Sequence, residues 1–338
     1  MLFYGVQAQP KGELFFSFDE PLGNVAVTQH VVYPIQVFFS VHPESKPKGP
    51  KIYELKHGKV SPFPDSAFQS KFISPLGVYL DFQNRLWVLD HGKYAFKTPK
   101  LFAFDAQTGE CLLEFEFPRD IVRKYVMLND LTVARDGKHV FMSAPGLFKK
   151  RSSIIVFNVK EKSIRRILTD HPSVMRQKIT PEVDGDKMQF VLGMYKVRPG
   201  VDGIDLNPEG TYLYYTAMSH EKMYRIPTNI ITDFNTQDSV IESSVEELWD
   251  RPLCDGIRVS NKNLVYITDM ENHQVLAMDK NGEKEVVFHN DNIRWTDGLS
   301  LGADGYLYIT DSALQHVIMK SEKKYAEHAP FGLWRVKL

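Results

Sequence analysis

Residues 254–269 read CDGIRVSNKNLVYITD, an acidic residue and a glycine ahead of two short alternating apolar segments, Ile257/Val259 and Val265/Ile267. Residues 296–311, TDGLSLGADGYLYITD, write nearly the same thing 42 residues later. Apolar alternation with period two on either side of a polar turn is a hairpin signal. The pattern also occurs as GNVAVTQHVVYPIQVFFS from Gly23, LGVYLDFQNRLWVLD from Leu76, NDLTVARDGKHVFMS from Asn129 and DGIDLNPEGTYLYYT from Asp202. The six starts lie 53, 53, 73, 53 and 42 residues apart, and the tail plus the first 22 residues makes a further interval of ordinary size. After most hairpins a third strand follows (KLFAFDAQTGE, SIIVFNVKEK, KMYRIPT, QVLAMDKNGE, GLWRVKL), and in several copies a fourth, such as CLLEFEF or SIRRIL. Four strands every 40 to 50 residues is the signature of propeller blades. The expectation is an all-β chain, one six-bladed β-propeller over residues 1–338. Residues 1–22, with the strand-like ELFFSF, are expected to complete the last blade, and residues 169–190 to form an inserted loop, with an extra strand at 188–192.

Composition narrows the function classes. With 41 Lys+Arg against 42 Asp+Glu the charge is balanced, so no basic footprint favours nucleic acid or an anionic membrane. No apolar run approaches the length of a membrane helix. The two cysteines, Cys111 and Cys254, make neither a disulfide framework nor a zinc pattern. The first residues lack a signal-peptide pattern and there is no N-x-Ser/Thr sequon, which points to a cytoplasmic protein; a mature secreted form stays open. Oligomeric state cannot be read from these features.

A propeller gathers two sets of residues at one face. The first set is the starts of the innermost strands: Asn129, Asp202, Asp255 and Asp297, with Asn24 displaced by a residue and Leu76 breaking the pattern. The second is the ends of the second strands and the loops after them: Ser40, His42, Asp90, His91, Ser143, Thr216, His220, Asp269, His273, Asp311 and His316. Asp-Gly and Asn-Asp are turn dipeptides, and one reading is that each caps a turn. Three carboxylates and a carboxamide around a narrow channel are costly unless a cation, a hydrogen-bonded ligand or shifted pKa values offset the repulsion. The second reading is therefore an axial ligand site on Asn129, Asp202, Asp255 and Asp297, with Trp295 and Met218 as walls. An oxygen-only set suits a hard divalent cation, Ca²⁺ first, with Asn24 as a further candidate ligand. His220, His273 and His316 are the candidate bases. There is no GxSxG elbow, phosphate loop, HExxH or CxxC, and no nucleotide or flavin motif.

These segments together, PLGNVAVT, LGVYLDFQNRLWVLDHG, LNDLTVARDGKHVFMS, GIDLNPEGTYLYYTAMSHEKMYRIPT, CDGIRVSNKNLVYITD and RWTDGLSLGADGYLYITD, resemble the major royal jelly protein/yellow family, from about residue 20 to the end. The resemblance implies a six-bladed propeller whose relatives include pigment-linked yellow proteins, salivary amine binders and storage proteins. The lack of a signal peptide and of the usual cysteines looks more like a bacterial-type member. The copies from Asp202 and Asp255 are also distantly similar to calcium-dependent gluconolactonase and paraoxonase-type propellers. There Asp255 matches the aspartate ligand and Asn129 a channel asparagine, Asp202 stands where asparagine is usual, and the glutamate position near Gly23/Asn24 has no carboxylate. Three readings follow: a propeller binding a small molecule such as an amine or catechol compound at its axis, a Ca²⁺-dependent lactonase or esterase, or a non-enzymatic protein-interaction propeller.

Overall fold

The computed structural model describes residues 12–146, 151–190 and 192–338. Their strands make six four-stranded antiparallel sheets, one per repeat, arranged as a six-bladed β-propeller. The innermost strands of blades 1 to 6 are Leu22–Val27, Pro75–Leu80, Leu131–Val133, Val201–Leu206, Ile257–Val259 and Thr296–Leu301. Blade 5 shows the pattern, passing outward from Ile257–Val259 through Val265–Asp269 and Gln274–Met278 to Lys284–His289. Blade 6 is built from both ends of the chain: Glu13–Phe18 pairs antiparallel with Phe331–Lys337, and Arg335 meets Glu13 at 2.6 Å.

The apolar core lies between blades rather than at the axis. Tyr79, Trp87 and Leu101 of blade 2 pack with Leu131, Met142 and Phe157 of blade 3 in one cluster; Phe141 and Val156 pack with Ile204 and Tyr215 of blade 4 in the next. Each such side chain removed from water contributes roughly 1.5–3 kcal/mol, so every blade depends on its neighbours.

The structure corrects the turn reading for two of the three Asp-Gly pairs at the strand starts, while Asp255 stays in a bend just ahead of its strand. Asp202-Gly203 and Asp297-Gly298 lie inside innermost strands, and the pairing register shifts between Val201 and Ile204 and between Thr296 and Leu299. The same shift occurs in blades 1 and 2, between Leu22 and Val25 and between Pro75 and Val78. These are β-bulges, which re-aim a side chain at the cost of a ladder bond. The glycines are there for close approach. A Cβ on Gly256 would lie 2.4 Å from the Asp297 carbonyl oxygen, and one on Gly77 2.3 Å from that of Asn129. Neighbouring innermost strands thus touch backbone to backbone, and the preceding residue is turned toward the axis.

The hydroxyls near the ends of the second strands fasten this arrangement. Thr268 Oγ1 accepts from the N–H groups of Asp255 and Gly256, both at 3.0 Å. Thr310 Oγ1 accepts from Gly298 at 2.8 Å and donates to the Gly23 carbonyl at 2.6 Å, joining blade 6 to blade 1. The acids one residue further on are anchors too. Asp90 accepts from the N–H groups of Ile73, Ser74 and Gly92, and Asp311 accepts from Arg294 and from the Trp295 N–H.

Between blades 3 and 4 the chain carries two small hairpins, Glu182–Val183 with Asp186–Lys187 and Gln189–Phe190 with Tyr195–Lys196. Of the strand expected at 188–192, Val191 lies outside the described residues. Val183 and Met188 from these hairpins pack with Met218, Met270, Trp295 and Leu314. The insertion therefore lies over one end of the channel.

Candidate functional site

Beneath the insertion is a cavity with room for the centres of water-sized molecules of about 90 Å³. Asn129, Asp202, Asp255 and Asp297, the starts of four consecutive innermost strands, all line it. Trp295 and Met218 line it as well, together with Leu76, Met127, Leu314, Ile318 and, from the insertion, Met188, Tyr195 and Val197. His42, Glu44 and Tyr94 complete the wall on the side of blades 1 and 2, and no Lys or Arg lines the cavity.

The carboxyls are in an environment that resists ionisation. Asp202 and Asp255 are buried, at 3% and 5% exposure. Burial pushes the Asp255 carboxyl up to about 7, against the hydrogen bond that Trp295 Nε1 donates to its Oδ2 at 2.7 Å. Asp202 is raised well above the usual carboxylate range by burial and then by the charges of Asp255 and Asp130, although the Asn129 amide donates to its Oδ1. Asp297 is raised for the same two reasons, burial first and then Asp255. Desolvation and like charge act in the same direction here, so at neutral pH the group keeps protons unless a cation enters.

A second polar layer lies deeper in the channel. Asp130 accepts from Asn24 Nδ2 at 2.9 Å and from the Leu131 N–H at 2.8 Å. Asp205 accepts from Thr132 Oγ1 at 2.8 Å and from the Val259 N–H at 2.7 Å, and faces Arg258 at 3.4 Å. Arg258 is itself buried and donates to the Leu299 carbonyl through Nε and Nη2.

The sequence-derived candidates divide accordingly. Asn129, Asp202, Asp255, Asp297, Trp295 and Met218 come together at one cavity. Asn24 does not join them: its amide is spent on Asp130 and its Oδ1 accepts from the Val25 N–H at 2.8 Å. His220, His273 and His316 are not among the lining residues. His220 Nδ1 accepts from the Lys222 N–H at 3.0 Å, and burial lowers its titration to about 4. His273 ties Asp184 of the insertion, at 2.9 Å, to the Ile293 carbonyl, at 2.7 Å. His316 stacks on His328 with centroids 3.8 Å apart. All three sit where loops need anchoring rather than at the cavity. Sequence reasoning missed Glu44, Tyr94 and Tyr195 as wall residues, and Asp130 as the deeper acid. Only Asp130 left a trace, in the Asn-Asp pair of the third repeat.

The cavity's oxygens are of the right kind for a hard cation, yet among the described residues no three His, Cys, Asp or Glu side chains stand close enough together to hold a metal ion. As placed, the residues do not fit a calcium site.

The sequence profile described as Major royal jelly protein matches residues 73–337, which carry five of the six innermost strands and three of the cavity carboxyls. The chain belongs to the major royal jelly protein family. Relatives in this family are distant. Major royal jelly protein 2 of Apis mellifera is 24% identical over 181 residues, 50% of this chain and 38% of that protein. Major royal jelly protein 1 of the same organism is 26% identical over 199 residues, 53% of this chain and 43% of that protein. The matched segment thus spans about two fifths of the bee proteins. Among solved structures, a gluconolactonase from Xanthomonas campestris superposes with a TM-score of 0.60 at 15% identity, covering 98% of this chain and 94% of that one. Regucalcin from Agrobacterium tumefaciens, described as a calcium-binding protein, gives 0.60 at 13% identity and covers 97% and 94%. At these identities the structural likeness is one of fold. The activity of any of these proteins is not carried over by it.

Proposed function

We propose that this royal jelly family protein binds a small organic cation, an amine with an apolar or aromatic body, in the axial cavity. One observation carries the reading: three buried or half-buried acids of the innermost strands line one cavity that no Lys or Arg lines. An ammonium group there supplies the missing counter-charge to Asp202, Asp255 and Asp297. The Asn129 carbonyl oxygen is a further acceptor. Trp295, Met218, Leu76, Leu314 and Tyr195 offer the apolar and aromatic surface that the rest of such a ligand needs.

Binding of this kind is linked to protons. A cation that enters stabilises the ionised carboxyls, so protons leave as it binds, and affinity rises with pH across the range in which Asp255 titrates, near 7. Isothermal titration with benzylamine at pH 6 and pH 8, in buffers of different ionisation enthalpy, measures both quantities. Tighter binding at pH 8 with proton release supports the reading; equal affinity with no proton release overturns it.

The oxygen donors also keep a second reading in view, a divalent-cation-dependent lactonase or esterase. For Ca²⁺ to be held, Asp202, Asp255 and Asp297 must draw closer together than they stand. Titration with Ca²⁺ alone separates the two. Saturable binding lost in Asp255→Ala, together with lactone hydrolysis lost in the same variant, favours the second reading over the first.

A further inference from the structure

A second cavity opens beside the axial one, between blades 1 and 2, with a volume of about 530 Å³. Its charge is opposite. Lys46, Lys51 and Lys93 line it, with Glu44 as the acid among the lining residues, and none of the three ammonium groups has an ion-pair partner within 4 Å among the described residues. His91 also lines it and is 2% exposed. Its Nδ1 accepts from the Tyr94 N–H at 2.9 Å, which leaves the ring proton on Nε2, and Nε2 has no partner. A buried donor without an acceptor is uncommon in a folded protein and calls for an explanation.

The backbone that presents these groups is unusual as well. Gly92, Lys93, Tyr94 and Ala95 are all left-handed, with φ of 58, 52, 56 and 58°. Three of them carry side chains that disfavour this region, so the turn is held by its surroundings. Asp90 accepts from the Gly92 N–H at 2.9 Å, Gly92 accepts from the Lys97 N–H at 2.8 Å, and Ala95 is fully buried. The result places Lys93 and His91 on the groove and puts Tyr94 between groove and axial cavity, both of which it lines.

We infer that this groove is an oxyanion-binding subsite, taking the carboxylate or phosphate group of a small molecule on Lys46, Lys51 and Lys93, with the His91 ring in the wall behind them. Glu44 and Tyr94 line both cavities, so one molecule can reach from one to the other. The ligand class of the whole face is then an amine that also bears an acidic group, a step that rests on the cation reading of the axial cavity.

The test uses inorganic phosphate and acetate as probes for the groove and benzylamine for the axial cavity, titrated into the full chain at pH 7.5 and constant ionic strength. Saturable binding of phosphate, acetate or both is expected. Lys51→Met at a half-buried position and Lys93→Met at an exposed one should each weaken that binding by about fivefold, roughly the worth of one ion pair, and leave benzylamine affinity unchanged. Asp255→Asn should do the converse, weakening benzylamine and sparing the anion. Phosphate preferred over acetate points to a phosphorylated ligand, and acetate alone to a carboxylate. The inference is overturned if neither anion binds, or if the lysine variants bind as the wild type does. Failure of benzylamine alone removes the cation reading and leaves the anion subsite standing.

Discussion

Replacing Asp255 with Asn removes one ionisable group from the axial cavity while keeping its size and an acceptor for Trp295 Nε1. In the folded protein this carboxyl titrates near 7, against 3.8 for an ordinary aspartate. Between those values the folded state holds a proton that the unfolded state has released, so stability contributed by Asp255 is present below about pH 4 and is lost as pH rises through 7. At 1.36 kcal/mol per pH unit, a separation of about 3 amounts to roughly 4 kcal/mol. Unfolding entropy of roughly 2.1 cal/mol/K per residue over the whole chain converts this to about 6 °C in melting temperature. Wild type and Asp255→Asn should therefore melt within about 1 °C of each other at pH 4 and diverge as pH rises, with the variant higher by up to about 6 °C at pH 8. Scanning calorimetry from pH 4 to 8, in buffers free of amines and divalent cations, reads the difference. His42 and His91 titrate in both proteins, so their contribution cancels. A constant offset at every pH, or a wild type that gains on the variant as pH rises, would refute the claim that the carboxyl is held against ionisation. Benzylamine added at pH 8 should narrow the gap by stabilising the wild type more than the variant.

Three further outcomes test other parts of the structure. His42 is buried and titrates near 3 instead of 6.5, so its stabilisation is present above 6.5 and lost as pH falls; His42→Asn, which keeps an acceptor for the Glu44 N–H, should lose about 3 kcal/mol less than wild type between pH 6.5 and 4 in urea unfolding. Gly256→Ala drives a Cβ to within 2.4 Å of the Asp297 carbonyl oxygen and should cost about 3 kcal/mol or more, whereas Gly49→Ala, whose nearest neighbour is 3.9 Å away, should stay within about 0.5 kcal/mol. Asp184→Ala releases the insertion from His273 without touching a blade, so hydrogen exchange over residues 179–197 should quicken while the melting temperature moves by less than about 2 °C.

The blades were legible because each repeat carries its own evidence: Ile257/Val259 against Val265/Ile267 alternates with period two and encloses a turn, and six copies in order leave little choice of architecture. What the repeats hid was the purpose of their glycines. Asp-Gly reads as a turn pair from local chemistry, and only the neighbouring strand shows that Gly256 is needed for approach to Asp297 and Gly298 for approach to Asn24. The histidines divide for a related reason. His42, His91, His220, His273 and His316 recur at similar positions, yet only His42 reaches the axial cavity and His91 the neighbouring one, because the loop after each second strand takes its own path. Conversely Glu44, Tyr94 and Tyr195 belong to no repeat. They lie in loops whose path depends on the assembled ring, so nothing local in the sequence marks them.

The strongest argument for a ligand comes from comparing the two polar layers of the same channel. In the lower layer Asp205 has Arg258, the Val259 N–H and Thr132, and Asp130 has Asn24, the Leu131 N–H and the field of Arg258; even so, burial leaves Asp130 raised to about 6. The lower layer thus carries one guanidinium for two acids, and Asp205 and Arg258 themselves line a further cavity. The upper layer carries none. Asp202, Asp255 and Asp297 receive one amide from Asn129 and one indole N–H from Trp295, and face a cavity instead of a guanidinium. A purely structural layer would be more stable with asparagine at these positions, because a carboxamide fills the same volume and has no charge to desolvate. The larger excess of acid over counter-charge, three carboxyls with no guanidinium among the lining residues, belongs to the layer at the axial cavity, and a cation from outside the chain is the complement proposed for it.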